Sequence, residues 1–244
     1  MTTLNHIIYN IKNLAWGGLS SDDSPISDDQ IAYWANVERT VLIKQDLERN
    51  KIIHTDLIQD LGCIEIECVD VIECCQLGLN SGSNHYRTKQ QIPVPISISW
   101  DALSNPMLIT YVGLLGAYQP FEFTSRALAN RTKNLKYGKG VRAYYLKNRI
   151  YFEQLYDRDI EAISIQGVFE NPAEAASFAN CCGDGGNYDF PYPITAYLES
   201  PLKEIIMKKY LNYVMNPGAQ DVSNDTENTI VGMKGGVQRS GEGN

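Results

Sequence analysis

The hydrophobic period of this chain changes once, close to Leu61-Gly62, and that change limits what the chain can fold into. Before it, apolar residues recur at helical spacing. Leu4, Ile7, Ile8, Ile11 and Leu14 predict a short amphipathic helix ended by Gly17-Gly18. After an acidic loop, Ser27 stands three residues ahead of Gln30, a capping-box pattern that opens a second helix running to about Asn50. Ile31, Trp34, Ala35, Val37, Val41 and Leu42 are assigned to its buried face, and the two helices are expected to pack as an N-terminal hairpin.

Beyond Gly62 the period is two. Ile64, Ile66 and Cys68 alternate with Glu65 and Glu67, as in a strand with one buried face. A polar stretch over 76–90 precedes the cleanest alternation, in which Ile92, Val94, Ile96, Ile98 and Trp100 oppose Pro93, Pro95, Ser97 and Ser99. Proline cannot donate to a ladder, so this strand is expected at a sheet edge or where chains meet. Pro93 and Pro95 are therefore candidate contact residues, by β-augmentation or as guards against it.

Residues 107–114 predict another strand, 141–146 and 149–154 a hairpin turning at Asn148, and 162–168 the last strand of a sheet of roughly five or six. A short helix is expected over 172–178. Ser200-Pro201 is read as the N-cap and first residue of a late helix with the stripe Leu202, Ile205, Ile206, Tyr210 and Tyr213. From Asn216 the composition shifts. Six of the last 29 residues are glycine and few are large and apolar, so this stretch is expected to order only on a partner, with Pro217 and Ile230 as candidate contacts. The order implies an α+β protein: a helical region at 1–60, an antiparallel β-sheet region at 61–170, a C-terminal helical region at 171–215 and an extended tail at 216–244.

The net charge of −8 argues against a general nucleic-acid binder. Its distribution is uneven. Between Glu122 and Glu153 lie eight basic residues, among them Arg126, Arg131, Lys133 and Lys136, and no acidic one. That span is expected to meet an acidic protein neighbour, with Tyr144, Tyr145 and Tyr151 adding area. Fifteen tyrosines against six phenylalanines suit half-wet contact surfaces.

No catalytic constellation is evident. His6, His54 and His85 are dispersed, and the nucleophile elbow, Walker A loop and H-E-x-x-H pattern are absent. Gly183-Asp184-Gly185-Gly186 does not open a helix, so no dipole stands behind it. The six cysteines form no C-x-x-C knuckle and are expected as buried free thiols. The competing reading is a metal-binding protein or enzyme built on Cys63, Cys68, Cys74 and Cys181 with a histidine. No cofactor is called for. No secretory signal or membrane span is expected, so the chain is expected to be soluble and made in the cytoplasm.

Two stretches, SDDSPISDDQIAYWANVERT within 21–70 and VFENPAEAASFANC with DFPYPITAYLESPLKEIIMKKYLNYV within 168–214, occur together ahead of a polar tail. In this combination the chain resembles structural proteins of crAss-like phages, the ring or head–tail adaptor subunits below the portal. The resemblance implies a non-enzymatic virion protein of the neck or tail. Its partners would be a homo-oligomeric ring (a dodecamer), the portal and adjacent tail rings, with non-specific contact to passing DNA and none to a membrane. An accessory protein that never enters the virion is the remaining alternative.

Overall fold

Ser27 fixes the start of the longest helix: its side-chain oxygen accepts from the Gln30 N–H at 3.3 Å, and Asp28 and Asp29 follow in the first turn, where carboxylates favour the helix dipole. In this computed structural model residues 2–16, 26–78, 85–98, 107–116, 119–132, 140–155, 160–179 and 189–211 are described. The helices are α1 (Leu4–Trp16), α2 (Asp28–Asn50), α3 (Val71–Leu77), α4 (Arg126–Thr132), α5 (Pro172–Ala179) and α6 (Ala196–Ile206), the last running into a π-helical turn at Met207–Leu211. The strands are β1 (Gln59–Cys68), β2 (Tyr86–Thr88), β3 (Ile109–Leu114), β4 (Glu122–Phe123), β5 (Arg142–Leu146), β6 (Arg149–Glu153) and β7 (Ala162–Gly167).

The expected hairpin of α1 and α2 forms, and α6 completes it as a third helix packed mainly on α2. Leu4, Ile7 and Ile11 of α1, Ile31, Ile43 and Leu47 of α2, and Leu202 and Ile206 of α6 are fully buried in one cluster. α2 stops because Lys51 turns left-handed at φ 55° and returns its N–H to the Leu47 carbonyl. α6 begins earlier than Ser200-Pro201 implies, at Ala196 with Thr195 as the cap residue, and carries Pro201 inside it. Packing of Leu198 against the other two helices extends the helix across a residue that would otherwise start one.

The strands lie in the order β3-β7-β1-β2-β6-β5-β4, antiparallel except for the parallel β4–β5 pair. β1 serves two neighbours in succession, β7 along Gln59–Glu65 and β2 along Ile66–Cys68. A bulge between Asp60 and Cys63 bends it, with Gly62 at φ 70° and its N–H held by Asp60 Oδ1 at 2.8 Å. Lys147 and Asn148 both take positive φ, 48° and 58°, the backbone of the tight turn expected between β5 and β6.

The two ends of this sheet meet. Gly113 in β3 bridges Pro120, and the Phe121 N–H donates to the Val112 carbonyl at 2.6 Å. The next residues of the same run bind β5: Glu122 N–H donates to Val141 O at 3.0 Å and Thr124 N–H to Ala143 O at 2.9 Å. The sheet is thereby rolled shut around Leu61, Ile64, Val112, Phe121, Ala143, Ile150, Phe152, Ile163 and Ile165. Ala175 and Phe178 of α5 pack into the same cluster beside β1. The short pieces β2 and β4, and the helices α3 and α4, carry no periodic signal long enough to read, and form because longer neighbours pair with or cover them.

Residues 92–98 are not the regular edge strand that their alternation predicts. Ile92, Pro93, Pro95, Ile96 and Ile98 are buried while Val94 and Ser97 are exposed, a repeat of three rather than two. Three residues per turn is the period that proline favours. The segment makes only isolated bridges, Pro95 to Phe169 and Ser97 to Met107. Pro93 and Pro95 thus lie inside the protomer and offer no free ladder to a neighbour.

Between the helical layer and the barrel, three segments meet in a closed ring of backbone hydrogen bonds. Ile96 N–H donates to Val168 O at 2.8 Å, Val168 N–H to Leu108 O at 2.9 Å, and Leu108 N–H to Ile96 O at 2.8 Å. All three residues are buried in the helical-layer cluster, while their neighbours Ile92, Ile109 and Phe169 pack with the barrel. Gly167 precedes the junction, and a Cβ there would stand 2.7 Å from the Leu108 carbonyl oxygen. Gly167→Ala is expected to destabilise the fold by about 1–3 kcal/mol through this backbone clash. A lowered urea midpoint with an unchanged m-value is the expected result.

Candidate assembly surface

α2 is inverted relative to an ordinary surface helix: its mid-helix charges point inward. Arg39 is fully buried, donating from Nε to Pro193 O at 2.7 Å and from Nη1 to Phe169 O at 2.9 Å. Its guanidinium lies 5.6 Å from the centre of the Tyr192 ring. Burial lowers its pKa to about 10, which leaves it charged at neutral pH. Glu38 is 3% exposed and accepts from Lys209 Nζ at 2.7 Å and from the Tyr210 hydroxyl at 2.6 Å. Tyr210 also stacks on Trp34, ring centres 4.7 Å apart. Both inward charges therefore fasten α2 to the segment that leads into and out of α6.

The outer face is the reverse. From Gln30 to Val41 the residues turned outward are Gln30, Tyr33, Asn36, Val37, Thr40 and Val41, none of them charged. Tyr33 is 67% exposed, Val41 41% and Val37 36%. Val37 and Val41 are thus not core residues, contrary to the helical-face assignment; the inward side of α2 is filled by residues such as Ala35, Leu42 and Ile43. With Glu170 and Asn171 they line a shallow groove of about 380 Å³. Lys44 at its edge stands 3.7 Å from Glu170. No sequence pattern announces this stripe, because a helix apolar on both faces carries little periodicity.

The contact residues expected from sequence are described only in part. Tyr144 has no exposed surface; it stacks on Tyr151, rings 5.7 Å apart, beneath α3 and α4. Those helices cover the outer side of β5 and β6, so Tyr144 and Tyr151 pack inside the protomer and supply no contact area. Burial pushes the Tyr144 phenol well above its ordinary value. Arg126, half-buried in α4, donates to the Leu77 carbonyl. Arg131 lies in α4, but its side chain is outside the described residues, as are Lys133, Lys136, Pro217 and Ile230.

Two other arginines of the basic span act within the protomer. Arg142 is buried and paired with Glu122 at 2.9 Å. Arg149 pairs with Glu67 at 3.3 Å and donates to the Thr88 and Lys89 carbonyls. Glu67 also holds Arg87 at 2.8 Å, and Arg87 reaches Glu73 of α3, which accepts from the Tyr151 hydroxyl at 3.1 Å. This network secures α3 to the sheet.

Of the described cysteines only Cys74 is buried; Cys63, Cys68 and Cys75 are exposed, against the expectation of buried thiols. Cys74 packs with Val69, Leu77 and Ala129, and burial raises its thiol pKa. Among the described residues no group of three or more His, Cys, Asp or Glu is placed to hold a metal ion, and no helix is long and apolar enough to cross a membrane.

The described part of the chain is thus a barrel tied to a helical layer, with an uncharged face of α2 left outward between Gln30 and Val41. The model of the family described as phage tail ring protein 2 matches residues 6–229. The chain belongs to that family, the ring proteins of crAss-like phages, and is a structural tail component of the virion. No protein of curated function matches it.

The Glu38 cluster makes the helical layer sensitive to acid. Burial raises the Glu38 pKa, but the hydrogen bonds from Lys209 and Tyr210 outweigh it and hold the group below its ordinary 4.5. A folded-state pKa below the unfolded one gives stability that is present above the unfolded value and lost as pH falls through the folded one. Wild-type stability is expected to drop as pH falls below 4.5. Glu38→Gln should cost about 1–3 kcal/mol at neutral pH and show a shallower acid loss. Urea unfolding of both proteins at neutral and acid pH measures this.

Proposed function

We propose that the chain is a non-catalytic subunit of a homo-oligomeric ring in the neck or tail, acting as a head-to-tail adaptor. The ring docks on the portal or on the next tail ring and lets DNA pass. The observation that carries this reading is the match to tail ring proteins along residues 6–229, which takes in the helical layer and the whole barrel. A cyclic ring needs two different complementary patches on each copy, so that each interface is heterologous and the rotation closes. The resemblance to adaptor subunits implies twelve copies. An overall charge of −8 suits a passage that does not grip the duplex, with only non-specific contact to DNA.

Arg131, Lys133 and Lys136 are assigned to a contact with an acidic neighbour, and residues around Pro217 and Ile230 to a contact ordered on a partner. Electron microscopy of whole virions is the test of location: density for this chain is expected as a closed ring between portal and tail. Its absence from purified particles by mass spectrometry would overturn the reading. Replacing Arg131, Lys133 and Lys136 with Glu should lower incorporation into virions at least several-fold. Unchanged incorporation would remove the basic span from the contact while leaving the ring itself standing.

A further inference from the structure

Of the four described cysteines, two meet at one atom. The Cys68 thiol donates to the Val69 carbonyl oxygen at 3.9 Å, and the Cys74 thiol donates to the same oxygen at 4.0 Å. Both are free thiols. A sulfhydryl is a weak donor, so these contacts bring the sulfurs together without binding either firmly. The backbone keeps both residues in place. Cys68 is the last residue of β1, paired with Tyr86 of β2, and the Val69 N–H donates to the His85 carbonyl at 2.7 Å. Cys74 lies in α3, where its N–H donates to the Asp70 carbonyl at 2.9 Å.

The two sulfurs differ in access. Cys68 is exposed, whereas Cys74 is 4% exposed and packs with Val69, Leu77 and Ala129. An accessible thiol with a second one behind it is the arrangement of an attacking and a resolving cysteine. Burial raises the Cys74 thiol pKa most, and Cys68 adds to it more than the adjacent Cys75 does. A tail component of a virion is made inside a cell, where thiols are kept reduced, and works outside it, where disulfides persist.

We propose that Cys68 and Cys74 are an oxidisable pair that closes to a disulfide once the virion has left the cell, pinning α3 to the end of β1. The oxidant is a small-molecule disulfide such as oxidised glutathione. Cys68, having lost its proton, attacks one sulfur of the oxidant; the S–S bond breaks and one glutathione thiolate leaves. Cys74, deprotonated in turn, attacks the Cys68 sulfur and releases the second thiolate. Two protein thiols are oxidised, one disulfide is reduced to two glutathione thiols, and the two protons end on the leaving thiolates. α3 is only seven residues long and is held to the sheet through Glu73, Arg87 and Tyr151. The covalent tie adds a hold on the helix that roofs Tyr144 and Tyr151, independent of those ion pairs.

The test treats the reduced full-length chain with oxidised glutathione, blocks the remaining thiols with a maleimide, and cleaves after glutamate. Cuts at Glu67 and Glu73 place Cys68 and Cys74 on separate fragments. The expected product is those two fragments joined, separable by a reductant, and the same product from Cys75→Ser. The oxidised chain should melt about 5 °C above the reduced one. Cys74→Ser is expected to stop at a mixed disulfide between Cys68 and glutathione. Cys68→Ser, at an exposed position outside the apolar clusters, should fold normally and form no crosslink. Virions purified without reductant, with thiols blocked on opening, should contain the joined fragments. A wild-type chain that stays at the mixed disulfide, or that pairs through Cys63 or Cys75 instead, would overturn the assignment. Virions in which both thiols are free, or an oxidised chain whose Tm is unchanged, would overturn it as well.

Discussion

Among the described residues, the junction of helical layer and barrel is organised around a fully buried cation, Arg39. Arg39 reaches from the middle of α2 to the carbonyl of Phe169, where the chain leaves the barrel, and to that of Pro193, where it enters α6. Both carbonyls lie in connecting segments, one just after β7 and one just before α6. A carboxylate partner would fix one point; a guanidinium with two carbonyls and a tyrosine face fixes three segments at once. Both accepting carbonyls lie outside the regular strands and helices. Residues 168–170 and 190–195 run as connections rather than as continuations of β7 or α6.

Long elements were legible in the sequence because their own periodicity specifies them. Ile7, Ile8 and Ile11, the Ser27 cap, the β5–β6 turn at Asn148 and the alternation along β7 each predict what the structure contains. Elements defined by their neighbours were not. β2 is three residues long and exists because β1 and β6 lie on either side of it. β4 is two residues that close the barrel. Pro93 and Pro95 looked like edge signals, yet proline equally fits a three-residue repeat that packs between layers. Pro201 looked like a helix start, and tertiary packing overrode it.

The outward face of α2 was the least legible feature, for a related reason. Sequence reasoning divides a helix into an apolar inside and a charged outside, so Val37 and Val41 are sent inward with Trp34 and Leu42. The deciding fact is that Glu38 and Arg39, between them, go in instead. That follows only from partners far along the chain, Phe169, Pro193, Lys209 and Tyr210. Likewise Tyr144 alternates as a solvent-side residue of β5, but α3 and α4 roof that side of the sheet. A sheet covered on both faces hides the alternation that would report which face is wet.

The closed triangle of hydrogen bonds at Ile96, Leu108 and Val168 also governs how the protomer bears load. A hairpin pulled at one end opens like a zipper, one bond after another. In the triangle each residue is at once donor to one neighbour and acceptor from the other, so displacing any one segment strains two bonds together. Force on the helices is therefore passed to the barrel as shear over the whole junction. A protomer wired in this way resists separation of its two layers at this junction more than a single ladder would.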